Sequence, residues 1–181
     1  MSGEQITLLA LAAVLMFWTV GAYNRLVLLR GAIAGAWAKV DEALQQRGVA
    51  AEALLAALRE PLAAEQDALA AWQATLAEAA RAAATLGARP VVQAHAVAWV
   101  AAEAVLAAAA SRVFALLEQQ AELRQRQPVA GQVLAWQEAG KRLRFARQLF
   151  NEAAVPYDEA IATFPTNLLV RVFRFEAAGR L

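Results

Sequence analysis

Apolar residues recur every three to four positions along most of the chain, and four interruptions divide this pattern. Gly48 follows the last apolar repeat of a first segment, Pro90 and Pro128 lie in two turns, and Pro165 closes a fourth segment. Glycine after the last repeat and proline beyond it are typical helix-stop signals. We therefore predict four helices, near residues 4–46, 50–86, 91–126 and 131–163, followed by a tail.

Each predicted helix carries an apolar stripe that includes one tryptophan: Trp37, Trp72, Trp99 and Trp136. The fourth stripe extends to Phe164. Pro61 and Pro156 fall inside the patterns, and each should kink or break its helix because proline removes a backbone hydrogen bond. Four amphipathic helices joined by short loops indicate an all-α fold, an antiparallel up-down four-helix bundle.

The first predicted helix opens with an uncharged apolar segment, residues 6–22. At ~1.5 Å per residue it spans ~26 Å, near the shortest length that crosses a bilayer. Glu4 precedes it, whereas Arg25, Arg30 and Lys39 follow it, so the positive-inside rule places the side after the segment in the cytoplasm. The side chains expected to anchor the chain are Leu8, Leu9, Leu11, Val14, Leu15, Met16, Phe17, Trp18 and Val20.

This pattern predicts a single-pass protein of the bacterial cell membrane with most of the chain in the cytoplasm. Residues 1–22 would form a short outside N-terminus and the anchor, residues 23–165 the bundle, and residues 166–181 an amphipathic tail. A cleaved signal peptide is the alternative, with Val20-Gly21-Ala22 as the cleavage site, although no Lys or Arg precedes the segment. A buried core helix is a third interpretation, which the lack of a polar stripe disfavours.

An even number of helices returns the tail to the membrane-facing end of the bundle. There, Leu, Val and Phe alternate with Arg171 and Arg174, which suits an interfacial segment on anionic lipid. A tail packed against the end of the bundle fits the same pattern.

Composition excludes several kinds of chemistry. The chain has no Cys and one His, so disulfides, Cys-ligated zinc and multi-His metal sites are excluded. His95 lies on an apolar stripe, where a core or boundary role is the ordinary one. The net charge of +1 gives no electrostatic support to nucleic-acid binding. We predict no cofactor, no metal and no catalytic residue.

The densest basic cluster lies in the fourth predicted helix. It contains Lys141, Arg144 and Arg147, spaced three residues apart, so their side chains share one helix face. A solvated face is the default interpretation. A docking site for an acidic partner or for lipid headgroups is the alternative.

Two blocks of sequence carry a family resemblance. The first contains Tyr23-Asn24-Arg25, then Trp37, Asp41 and Arg47; the second contains Phe150-Asn151, then Tyr157 and Phe164-Pro165. In order, spacing and position after the apolar segment, these blocks resemble the LemA family. The resemblance implies one N-terminal membrane helix, an outside N-terminus, a cytoplasmic antiparallel four-helix bundle and no established catalytic residue.

We therefore expect a non-enzymatic scaffold or interaction module at the cytoplasmic membrane, in contact with lipid and with a protein partner. The motif residues would pack the first helix against the fourth. The alternatives are a non-catalytic subunit or weak enzyme of a membrane complex, and a secreted or periplasmic bundle left after signal-peptide cleavage.

Overall fold

The computed structural model describes residues 2–173 and 175–181, with residues 169 and 171–173 described by their backbone alone. The described residues contain no β-strand, which confirms the predicted all-α class. A short 3-10 turn, Ala63–Glu65, precedes the second helix. The helices are α1 (Gly3–Leu58), α2 (Gln66–Ala88), α3 (Gln93–Gln119), α4 (Ala121–Gln125), α5 (Val129–Ala162) and α6 (Thr166–Phe173).

The bundle is built from two helix pairs. The larger contact joins α1 to α5, and the other joins α2 to α3. Helices α1 and α5 run antiparallel, because the Trp37 ring lies 6.1 Å from that of Phe150 while Gln46 accepts a hydrogen bond from Arg142 at 2.8 Å. The first buried side chain of α1 is Leu26, so the bundle begins just after the apolar segment.

The prediction that the first helix ends near residue 46 is wrong, because α1 continues through Gly48 to Leu58. Glycine costs a helix interior about 1 kcal/mol relative to alanine. The following turns bury Ala51, Leu54 and Leu58 completely, and this burial outweighs the cost. The helical pattern breaks instead beside Pro61, which has no backbone N–H to donate.

The other predicted stops agree with the structure. Helix α2 ends at Ala88, α3 is followed by the short α4 before the turn at Pro128, and α5 ends at Ala162. Pro156 lies inside α5 without ending it. The prediction that the fourth apolar stripe extends to Phe164 is wrong. The Phe164 side chain is 74% exposed, because it lies beyond the end of α5.

Two aromatic clusters fill the core. Trp37 contacts Trp99 and Phe150 edge-on, with centroids 6.1 Å apart in both pairs, in the half of the bundle nearer the apolar segment. Trp72 contacts Trp136 at 5.2 Å in the far half, within a separate group of buried residues. Edge-to-face contacts are the preferred geometry of aromatic rings, so each tryptophan ties two helices together.

Candidate functional site

The most exposed apolar surface is the first part of α1. Eight of the nine predicted anchor side chains are exposed, from 49% for Val20 to 74% for Phe17, and Trp18 is half-buried. Monomeric soluble proteins rarely expose a contiguous apolar surface of this extent. The segment is helical and continuous with the bundle, and none of its apolar window is buried by the described residues.

Judged by length and composition, two helices in the described residues could cross a membrane. The apolar window of α1 has a mean hydropathy of 2.0 and none of it is buried, whereas that of α3 has 1.8 and is 22% buried. Helix α3 contributes Trp99, Leu106 and Val113 to the core, each at most 2% exposed. The two helices therefore differ in that α3 is packed into the bundle.

The motif residues directly after the apolar segment lie on the surface. Tyr23, Asn24 and Arg25 are exposed. The ring of Tyr23 lies 6.4 Å from that of Phe175, and the guanidinium of Arg30 lies over the same Phe175 ring at 4.8 Å. This end of the bundle is therefore where α1 meets the last described residues.

Arg47 forms the most buried ion pair among the described residues, with Glu103 of α3. Two hydrogen bonds of 2.6 and 2.7 Å join the guanidinium to the carboxylate, and the two side chains are 11% and 10% exposed. The guanidinium also lies 5.8 Å from the centre of the Trp136 ring. Asp41, in contrast, is exposed and accepts a hydrogen bond from Gln45.

Sequence reasoning missed Glu103. The signal was present, because Glu103 interrupts the apolar stripe of α3 between Trp99 and Leu106. A carboxylate in such a position is buried only with a partner. The partner itself could not be chosen, since Arg47 is 56 residues away.

Asn151 and Tyr157 hold residues 175–181, which we call the tail strap. The Asn151 side chain donates to the Leu181 carbonyl and accepts from the Leu181 N–H, both at 2.8 Å, and the Tyr157 hydroxyl donates to the Glu176 carbonyl at 3.0 Å. Asp158 adds bonds to the Ala178 N–H and to Arg180. The tail strap thus packs on the bundle.

Tyr157 is fully buried. Burial raises the pKa of its hydroxyl above the ordinary value, and the nearby Arg30 guanidinium opposes that shift only in part. The hydroxyl therefore stays protonated, as its hydrogen bond to the tail strap requires. Of the other motif positions, Pro165 is half-buried between α5 and α6, while Phe164 is exposed as described above.

The basic cluster lines open grooves on α5. Lys141 and Arg144 are exposed, and Arg147 is half-buried with its guanidinium 5.1 Å from the centre of the Trp99 ring. Lys141 pairs with Glu138 at 2.6 Å, and this hydrogen bond lowers the pKa of the Glu138 carboxyl. Arg174 lies outside the described residues, as does the side chain of Arg171.

No group of three or more His, Asp or Glu side chains in the described part of the chain is arranged to hold a metal ion. His95 is half-buried, and its Nδ1 has no hydrogen-bond partner among those residues.

The fold and its exposed helix define a class, that of all-helical bundle proteins with an apolar helix projecting from one end. The LemA family model matches residues 36–180, so this chain belongs to the LemA family. The match begins beside Trp37 and extends into the tail strap, so it covers nearly all of the bundle but not the apolar segment. No curated protein matches the chain.

Proposed function

We propose that this chain is a single-pass membrane protein: residues 6–22 anchor it in the bacterial cytoplasmic membrane, and the bundle is a non-enzymatic interaction module on the cytoplasmic side. The observation that carries the proposal is the apolar window of α1, none of which is buried. In water this surface is unfavourable, and a bilayer is the environment that removes it from water along its whole circumference.

The free energy gained when the segment enters a bilayer is comparable to the cost of inserting one or two charged side chains. The segment holds eight Leu, Ile, Phe and Val side chains. At about −0.3 to −0.6 kcal/mol for each at the centre of a membrane helix, they contribute roughly −2 to −5 kcal/mol. One acidic side chain at the same depth costs about 2.5–3.5 kcal/mol. Two such substitutions should therefore abolish insertion.

Charge supports the orientation. Glu4 is the only charged side chain before the segment, whereas Arg25, Arg30 and Lys39 follow it. The positive-inside rule then places the bundle in the cytoplasm. Because α1 is continuous from the segment into the core, the end of the bundle that carries the tail strap faces the membrane.

A second transmembrane pass through α3 is disfavoured by its packing. Glu103 is paired with Arg47 inside the bundle, and Trp99 contacts Trp37. Insertion of α3 would break both contacts. Among the motif residues, Trp37 packs on Phe150 and Arg47 pairs with Glu103. Asn151 and Tyr157 hold the tail strap. These contacts support a role through surfaces and not through chemistry.

The absence of cysteine from the sequence allows a direct topology experiment. We would introduce Ser2→Cys or Ser111→Cys, both at exposed positions, and label intact cells with a membrane-impermeant maleimide. Ser2→Cys should react from outside and Ser111→Cys only after lysis. Intact mass of the membrane-fraction protein should show the whole chain.

Matched variants test the anchor itself. Leu11→Asp/Leu15→Asp should move the chain to the soluble fraction, whereas Val105→Asp/Leu134→Asp, which changes two exposed apolar residues of the bundle, should leave it in the membrane. A mature chain that begins at Tyr23 and is recovered from the periplasm would overturn the proposal in favour of a signal peptide. Labelling of Ser111→Cys in intact cells would overturn the orientation.

A further inference from the structure

Two adjoining grooves follow the basic cluster along one side of α5. One has a volume of about 430 Å³ and is lined by Arg47, Glu103 and Trp136 together with Arg144 and Arg147. The other, of about 690 Å³, shares Arg144 and Arg147 and is also lined by Arg180 of the tail strap. The two arginines of α5 therefore stand at the centre of one continuous trough.

Most of the other cations around this trough already have a carboxylate partner. Arg47 pairs with Glu103, Lys141 with Glu138, and Arg180 with Asp158. Within the described residues, Arg144 and Arg147 have no carboxylate within 4.0 Å. Glu152 also lines the trough, where its carboxylate accepts a hydrogen bond from Gln148 at 2.8 Å. Two guanidinium groups three residues apart on one helix face thus have no ion-pair partner among the described residues.

The surroundings resemble a protein interface. Trp136 lines the trough beside Arg144 and Arg147. Arginine and aromatic side chains are the residues enriched where proteins bind one another. The Arg147 guanidinium is held against the Trp99 ring. Because its position is already restricted, it loses less conformational entropy when a ligand binds.

The distance of Arg144 and Arg147 from the membrane favours a protein partner over lipid headgroups as their ligand. The contacts of Phe150 with Trp37 and of Arg142 with Gln46 place the two free arginines beside residues 37–46 of α1. This level lies roughly 20–35 Å along the helix from Ala22. The surface potential of anionic lipid decays over a Debye length of about 8 Å at physiological salt. Lipid headgroups at the membrane surface are therefore too far from Arg144 and Arg147 to neutralise their charge.

We infer that this trough docks an acidic segment of a partner protein, with carboxylates on Arg144 and Arg147. The inference rests on the proposed role as an interaction module, and it names the chemistry of the partner. Carboxylates suit this site because guanidinium groups bind them through two parallel hydrogen bonds.

The test uses the full chain in nanodiscs of neutral phosphatidylcholine and a fluorescein-labelled peptide, Glu-Glu-Leu-Glu-Glu-Leu-Glu-Glu. Fluorescence anisotropy should show binding that weakens with added salt, and a peptide with Gln in place of Glu should not bind. Arg144→Gln/Arg147→Gln should weaken binding by about tenfold or more, as expected when both charges that face the ligand are lost.

The matched control is Arg81→Gln/Arg112→Gln, which removes the same number of charges from exposed positions on α2 and α3 and should change affinity by less than about twofold. The single variant Arg144→Gln keeps Arg147 on Trp99. Its affinity should also fall, with an unchanged melting temperature, which separates lost binding from lost folding.

Three outcomes would overturn the inference: no binding to the parent chain, equal weakening by both double variants, or peptide binding that phosphatidylglycerol in the nanodisc abolishes by occupying the arginines. The titration is repeated on the full chain in detergent. If the chain binds the peptide in detergent but is not found in the membrane fraction, the docking site stands and the membrane anchor is rejected. If the chain is found in the membrane fraction but does not bind the peptide, the anchor stands and the docking site is rejected.

Discussion

Removal of Glu103 should be among the most damaging single changes to the bundle. The Glu103→Ala variant leaves the Arg47 guanidinium without the two hydrogen bonds that now neutralise it. Because the Arg47 side chain is 11% exposed, water can replace only part of what is lost. The charge stays buried, since an arginine cannot lose its proton at any accessible pH.

Loss of one partner of a buried ion pair costs about 3–5 kcal/mol. Arg47 also lines a solvent-open groove, which favours the lower end, about 3 kcal/mol. For a chain of this length each kcal/mol corresponds to about 2–4 °C in melting temperature, so Glu103→Ala should melt roughly 6–12 °C lower. The double variant Arg47→Met/Glu103→Leu removes both charges and should recover most of this loss.

The measurement is thermal unfolding of the full chain in one detergent, followed by circular dichroism. Glu78→Ala is the matched control, because it breaks an ion pair with Arg81 whose side chains are 67% and 64% exposed. It should shift the melting temperature by less than about 2 °C, as surface pairs contribute little. The reasoning fails if Glu103→Ala melts with the control, or if the double variant melts below Glu103→Ala.

Three further outcomes follow from the packing. Trp37→Ala should cost about 3–5 kcal/mol of stability, since the ring contacts two others in the core, and an unchanged melting curve would contradict this. Gly179→Ala should release the tail strap, because the added Cβ would lie 2.3 Å from the Cβ of Ala96. Faster hydrogen exchange of the tail-strap amides would detect this release. Gly140→Ala is the control, since there is space for a Cβ at that position. Burial raises the pKa of Tyr157, so its stabilisation is complete below the ordinary value of 10.0 and is lost as pH rises through the raised value. Between pH 10.0 and the raised pKa, melting temperatures should therefore fall more steeply for the parent than for Tyr157→Phe, and parallel curves across that range would refute the assignment.

The sequence by itself determined the elements whose signals are local. An apolar residue every three to four positions predicts a helix wherever it occurs, and the turns at Pro90, Pro128 and Pro165 follow from backbone chemistry that each proline carries with it. The apolar segment of residues 6–22 is equally visible, because hydropathy is a property of composition.

The end of the first helix was different, because two local signals competed there. Gly48 disfavours a helix interior only slightly, whereas Pro61 cannot contribute a hydrogen bond at all. The decision depended on how much surface the intervening turns bury, with Leu54 and Leu58 fully enclosed. That quantity belongs to the packed bundle, so local signals could not supply it.

Only the tertiary structure brought Arg47 to Glu103, laid the tail strap over Asn151 and Tyr157, and left Arg144 and Arg147 without carboxylates. Each of these arrangements joins residues far apart along the chain, and helical periodicity specifies which face a side chain occupies but not which face lies opposite. Which side chains of two helices meet is decided when whole apolar stripes pack together. That packing either buries two polar groups against each other or leaves them facing water.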